Sequence, residues 1–537
     1  MIAPNLSCPP HSCSLNKISN SICVALGFIP TFLLATPLPP EFQTINVTFP
    51  ESVNFDDNTG FEIRNQPEVN WDVVPWTEKT LKPINKDTAF IFTKDPWSYS
   101  DNYVVLPESD FEWDAQNHSL RFFQDCRSGE GIIGLKKNTE LTIKNITDFQ
   151  AYAENPEVAV LSSNGASLNI QANNIWLQTN AYSDVRMLEA SGQSRVNLEA
   201  ANNFVALYEV RGKTDNPLRM FYTSGQFNLN ANNVYVRLEN TDQIIQSDAF
   251  YFLSASEVNI GSYDEPVNLF YVDGVGSAIT FQADKGSLHI NADNIVLNLK
   301  NPSKQPGSNT GWGIGSSVTT DIRSQFIEIT GSPKAIYLND ESAKTITVTG
   351  EGIYIDSQGV LDFYGKNYGV YVDSEATNAD KREPVKLKTT SFYIKDTSTG
   401  IYAVGRSAFE LEASNLYIEN TIGTGEQALD FCDSQIKIDA DSIVLKGYES
   451  GLYSAWQSQS YFPQPNLEIK AENNILIHDS HIGMFLEGAK ASLKAENLQV
   501  NANERFGDSS AIVGLKGASV ELDVNETIEV NGFQTAI

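Results

Sequence analysis

From about residue 160 to the end of the chain, apolar and polar residues alternate over short stretches. One motif keeps returning: apolar, x, apolar, x, Ala, x, Asn, apolar, x, apolar. It runs through Leu168, Ile170, Ala172, Asn174, Ile175 and Leu177, and again through Phe227, Leu229, Ala231, Asn233, Val234 and Val236. Further copies centre on Ala292, Ala413, Ala440 and Ala471. Period-two alternation in short runs rich in Val, Ile, Tyr and Phe, punctuated by Gly, Asn, Ser and Asp, predicts β-strands and excludes amphipathic helices. A second strand precedes the first in many units, as in Ala335-Ile336-Tyr337-Leu338, Gly369-Val370-Tyr371-Val372, Gly400-Ile401-Tyr402-Ala403, Gly451-Leu452-Tyr453-Ser454 and Gly483-Met484-Phe485-Leu486.

The small-residue anchors fall at Ala172, Ala200, Ala231, Ile260, Ala292, Ser324, Gly350, Thr389, Ala413, Ala440, Ala471, Ala495 and Val524, in steps averaging roughly 29 residues, inside the range of stacked-repeat folds. One such unit cannot bury its apolar side alone, whereas stacked units can. The expectation is therefore an all-β, single-stranded parallel β-helix of about 13 coils, about 60 Å long at ordinary strand spacing. It would span residues 131–537 and end mid-repeat. Residues 41–130 lack the repeat and hold Trp71, Trp76, Trp97 and Trp113. They are expected to cap the open end of the coil stack, which would otherwise expose a pairing edge, with a small non-repeat binding segment built on the clustered aromatics as the alternative.

Composition refines this picture. The chain of 537 residues carries 67 acidic against 37 basic side chains, a net charge of −30. That argues against a nucleic-acid partner, which needs clustered cations. Five cysteines, three of them within the first 23 residues, are too few for a disulfide scaffold and too scattered for zinc. Cys126 and Cys432 would lie about ten coils apart, too far to bridge. Residues 1–40 are expected to form a signal-peptide region. Lys17 precedes an apolar run from Ile22 to Leu34, followed by Ala35 and a proline-rich break, and the nearly uncharged residues 1–16 suggest that the true start lies near Leu15. Along the remaining chain no stretch is apolar enough for a membrane-spanning helix.

The alternating repeat with a signal-like segment and sparse cysteine resembles the passenger region of bacterial autotransporters, over roughly residues 130–537. That resemblance implies export to the cell surface or outside the cell, handling by the outer-membrane translocation machinery, and a C-terminal membrane barrel. Barrel-like strands are absent from this sequence, so the chain is expected to be part of a longer protein or a passenger without its own translocator.

Catalytic chemistry is hard to find. The nearest string to a serine nucleophile motif is Gly507-Asp508-Ser509-Ser510, with no histidine on a neighbouring unit. His478 and His481 flank Asp479 and read as loop polarity. Asn54 to Gly60 fails the spacing of a calcium loop. Neither a cofactor nor a metal is expected. The Asn two places beyond each anchor, at Asn174, Asn202, Asn233, Asn294, Asn415, Asn473 and Asn497 with Ser442 as a substitute, reads as turn chemistry that could stack into an amide ladder. The residues between inward apolar positions point outward and form two aromatic series. One is Trp176, Tyr235, Tyr354, Tyr393 and Tyr417. The other is Tyr271, Tyr337, Tyr371, Tyr402, Tyr453 and Phe485. Cross-strand packing accounts for such stripes, and a binding face for sugars or protein accounts for them as well. The expected function is non-enzymatic adhesion to host glycans or proteins, or self-association. The alternatives are a polysaccharide lyase or hydrolase with carboxylates drawn from separate coils, and a passive stalk.

Overall fold

The computed structural model of the chain describes residues 39–42, 45–50, 72–75 and, with short gaps, 85–535. Within them the chain forms a parallel β-solenoid of about 12 turns, without a helix. The signal-like run, Cys8, Cys13, Cys23, Cys126, the Asn54–Gly60 loop and Gly507-Asp508 lie outside the described residues.

The strand Leu218–Glu239 passes through all three walls of one coil and defines them. Sheet 1 takes Leu218–Thr223, which pairs with Ser247–Phe252 of the next coil. Sheet 2 takes Gln226–Leu229, paired with Glu257–Ile260. Sheet 3 takes Asn233–Arg237, paired with Leu269–Asp273. Alternation sends Phe221, Phe227, Leu229, Val234 and Val236 inward, all at 1% exposure or less. In the middle coils the interior is a pile of rings: Phe221 stacks on Phe250 at 4.8 Å, and Phe252 meets Phe281 at 4.9 Å. Burial of such side chains stabilises the rod by about 1.5–3 kcal/mol each, and parallel strands buried behind a turn-rich surface need this repetition to be stable.

The glycines that open the Gly-x-Tyr strands have a steric cause. A Cβ on Gly369, Gly400, Gly451 or Gly483 would sit 2.5–2.6 Å from Ile394, Ile418, Ile477 or Val500, the inward residues of sheet 3. Here two walls of the coil meet, and only the absent side chain lets them close. At the opposite corner Gly225, with φ of 134°, approaches the carbonyl of Ser194 so closely that a Cβ would lie 2.2 Å from its oxygen.

Most of the anchors occupy equivalent rungs: Ala172, Ala200 and Ala231 align, as do Thr389, Ala413, Ala440 and Ala471. Two are displaced. Val348, not Gly350, faces Ser324, because residues between Thr347 and Ile353 bulge out. Val267, not Ile260, faces Ala292, because residues 261–266 form an inserted loop. The parallel ladder also begins before residue 131. Thr88–Thr93 pairs with Leu120–Asp125, and Phe111–Asp125 pairs with the strand Glu140–Glu154. Trp113 is 1% exposed within the common core. These strands therefore extend the rod itself.

Candidate functional site

The outward residue of sheet 3 forms one column along the rod: Trp176, Val205, Tyr235, Tyr271, Val296, Glu328, Tyr354, Tyr393, Tyr417, Val444, Leu476. Tyr271 thus belongs here, beside Tyr235 at 6.5 Å, and not with the Gly-x-Tyr series. The inserted loop at 261–266 hides this in the sequence, because it changes the spacing between anchor and strand.

This column is not open. Residues 39–42 and 45–50 lie across it between Tyr235 and Tyr393. Phe42 stacks on Phe326, Tyr354 and Tyr393 at 5.7–6.4 Å. The Ile45 N–H hydrogen-bonds the Glu328 carboxylate. Phe49 meets Tyr235 edge-on at 5.9 Å, with the Arg237 guanidinium 4.1 Å from its ring centre. Seven residues of extended chain reach about 23 Å, and the four to five rungs between these contacts span about 19–24 Å. Phe42 and Phe49 are therefore set apart along the rod, and the described residues cross the strands as a strap. Asn46 and Thr48 are exposed while Ile45, Val47 and Phe49 are partly covered, so period-two alternation persists in it. Beneath or beside it Tyr393 is 7% exposed and Tyr417 3%. The expectation of a free aromatic binding stripe on this face is corrected for Tyr235, Tyr354 and Tyr393, because the chain's own residues occupy those rings.

Sheet 1 carries the second column: Glu189, Tyr222, Tyr251, Thr280, Gly315, Tyr337, Tyr371, Tyr402, Asp430, Tyr453, Phe485, Val513. Tyr222 and Tyr251 escaped the sequence reading, since no glycine marks their strands. They stack at 5.7 Å, and guanidinium groups lie over their faces: Arg186 at 3.8 Å from Tyr222 and Arg219 at 3.7 Å from Tyr251. Beside them Asp248, fully buried, is pushed up to about 6 by burial, against hydrogen bonds from Thr280 and Ser277.

Tyr337, Tyr371 and Tyr402 occupy successive rungs with ring centres 5.3 and 5.0 Å apart. Tyr368 packs against the last two at 5.2 and 5.4 Å. Lys334 places its Nζ 4.7 Å from the Tyr371 ring. Asp430 interrupts the aromatics, and Tyr453 and Phe485 then stack at 5.2 Å with planes 13° apart. All five aromatic side chains of the two blocks are partly exposed. Burial raises the Asp430 carboxyl to about 7, opposed by the Cys432 N–H and by Lys366 and reinforced by Glu426. Burial also raises the Tyr371 and Tyr402 hydroxyls far above the phenol range, helped by Asp373 and Asp430 respectively. The Cys432 thiol is raised to about 12 by burial and by Asp430, and its Sγ donates to the Ala455 carbonyl at 2.7 Å.

The amide ladder exists with altered membership. Asn174 accepts from Asn203, Asn203 from Asn233, and Asn233 from Asn268, at 3.1–3.3 Å; Asn294 donates to the Asn268 carbonyl. Asn202 and Asn473 are exposed and off the ladder, because a one-residue bulge after the anchor puts Asn203 and Asn474 on the rung instead. Asn497 donates to Asn474, while Asn415 stands between Ser391 and Ser442. A second ladder, on sheet 2, links Asn169, Asn197, Asn228 and Asn259. Its next rung is His289, 8% exposed, whose ring is covered by Tyr263 at 4.2 Å and faces Asp321 at 3.5 Å. Burial holds this imidazole below its usual range. No protein-family model, characterised protein or solved structure matches the chain.

Proposed function

We propose that the chain acts without catalysis, as an adhesive rod whose contact face is the tyrosine stripe on sheet 1. The observation that carries this reading is the contrast between the two aromatic columns. The chain covers one with its own strap and leaves the rings of Tyr337, Tyr371, Tyr402, Tyr453 and Phe485 partly exposed on the other. A row of ring edges, most of them tipped by a hydroxyl, suits sugars and protein surfaces. The autotransporter-like reading belongs to the same proposal: an exported passenger, handled by an outer-membrane translocator and displayed on a bacterial surface, where it meets host glycans or copies of itself. The repeat and the signal-like run before residue 40 support it.

Replacing Tyr337, Tyr371 and Tyr402 together with Ser should lower binding to a glycan array or to cells at least tenfold while the rod stays folded by circular dichroism. Binding that survives the triple substitution removes this face from the function. The enzymatic alternative has one observation in its favour: Asp430, with its raised carboxyl, lies inside the stripe and could donate a proton to a glycosidic oxygen. Release of reducing ends from a polysaccharide by the purified chain, lost in Asp430→Asn, would replace adhesion with hydrolysis.

A further inference from the structure

Granting that the sheet 1 stripe binds carbohydrate, the geometry points to a neutral, extended, equatorially linked glycan lying along the rod axis, one sugar ring per coil, over the six rungs from Tyr337 to Phe485.

Direction follows from the columns. Within a rung the neighbours of each outward ring point inward: Ile401 and Ala403 flank Tyr402, and both are fully buried. A chain laid along a strand therefore meets one ring of the column. A chain laid along the rod meets the outer edges of five, whose faces turn toward one another. The repeat fits as well. Ring centres advance by 5.3, 5.0 and 5.2 Å at the rungs where adjacent aromatics pair, close to the strand spacing of about 4.8 Å. A fully extended, equatorially 1,4-linked pyranose chain advances by nearly the same length per ring, whereas an axially linked chain coils and loses register after one or two.

The ends of the site are marked. The rung before Tyr337 is Gly315 and the rung after Phe485 is Val513, neither of which is aromatic. Asp430, 8% exposed, makes the fourth rung polar and separates the two aromatic blocks. Charge selects against acidic sugars. Asp362, Asp373 and Glu426 surround the stripe, against Lys334 and Lys366, and Lys366 is already paired with Glu426. An anionic chain would meet net repulsion.

The test uses the full chain and cello-oligosaccharides of two to eight rings, with malto-oligosaccharides and oligogalacturonates as comparisons, by calorimetry. Affinity should rise about threefold per added ring, the factor that ~0.7 kcal/mol of ring contact gives, and level off at six. Tyr453→Ser with Phe485→Ser should leave the trimer unchanged and flatten the series beyond three rings. Its melting curve should stay close to the parent's, which separates a lost subsite from lost folding. Affinity that stops rising after two rings, malto-oligosaccharides binding as well as cello-oligosaccharides, or a double variant that weakens the trimer equally would overturn the axial alignment while carbohydrate binding stood. Failure of every oligosaccharide to bind would overturn the carbohydrate reading of this face together with it.

Discussion

The two aromatic columns of this rod arise from one rule and meet different fates. In sheets 1 and 3 alike, β-propensity and cross-strand contact place rings on the outward position of neighbouring coils. On sheet 3 the rings of Tyr354, Tyr393 and Tyr235 become the floor beneath Phe42 and Phe49. On sheet 1 Tyr337, Tyr371 and Tyr402 pack against each other, Tyr368 and Lys334, and their side chains stay partly exposed. An outward ring in a β-solenoid is thus not by itself evidence of a ligand face. What distinguishes the columns is whether the chain supplies a second layer.

The largest effect should come from making the same substitution on each face. Tyr393 is 7% exposed, touches Phe42, Tyr354 and Tyr417, and donates its hydroxyl to Glu419. Tyr393→Ser should cost about 3–4 kcal/mol, the range of a large core truncation that also strands a polar partner. Tyr402→Ser, at a half-open site, should cost about 1 kcal/mol. Denaturant unfolding of the two variants reads the difference directly. Equal losses would mean that the faces are equally packed and that the comparison fails.

Next is the strap itself. Phe42→Ala with Phe49→Ala removes both of its aromatic anchors and should weaken docking by about 3 kcal/mol. Hydrogen exchange and protease cleavage should then increase within residues 39–50, and a hydrophobic dye should bind sheet 3, with the coil strands still protected. If the whole rod loses protection together, the strap is part of the core and not a separable layer.

Asp430 sharpens the comparison from the other side. Its carboxyl sits at about 7 in the fold, above the usual unfolded value of about 3.9. The folded chain therefore holds this proton more tightly than the unfolded chain. That stabilisation is complete below about pH 4 and is lost as pH rises through 7. Asp430→Asn, which keeps an acceptor for the Cys432 N–H at 3.2 Å, should remove this slope. It should make the protein about 2 kcal/mol more stable than the parent at pH 8, less than the full shift implies because neighbouring groups relax. Asp248, raised to about 6, adds a slope of the same sign, so the comparison requires parent and variant melted across the same pH series.

How much of this could be read in advance depended on how local each cause is. The coil, its strands and the inward residues follow from alternation and repeat length, which are properties of neighbouring positions. The outward aromatics followed too, through Gly-x-Tyr. Membership of columns did not, because it depends on bulges and inserted loops that change register by a residue. Asn203 replaces Asn202 on its rung, and Tyr271 changes sheets, for that reason. Tyr222 and Tyr251 lacked the glycine flag. The strap was beyond reach: Phe42, Ile45 and Phe49 alternate weakly in a proline-rich stretch, and their partners lie roughly 190 to 350 residues away.

Glu328 offers the finest test of that long-range contact. It interrupts the sheet 3 column, is 6% exposed, and takes a hydrogen bond from the Ile45 N–H while burial raises its carboxyl. Burial dominates, so the docked strap favours the protonated acid. Docking should therefore tighten as pH falls toward the ordinary carboxylate range and loosen as the side chain ionises above it. Glu328→Gln retains an acceptor for Ile45 and carries no charge. Strap protection in this variant, measured by hydrogen exchange at residues 45–50, should not vary with pH and should exceed the parent's at neutral pH by ~0.5 kcal/mol, a little over twofold. A parent whose strap protection is itself independent of pH would show that Glu328 reaches solvent, and that the strap covers the aromatic rungs without sealing the acidic rung between them.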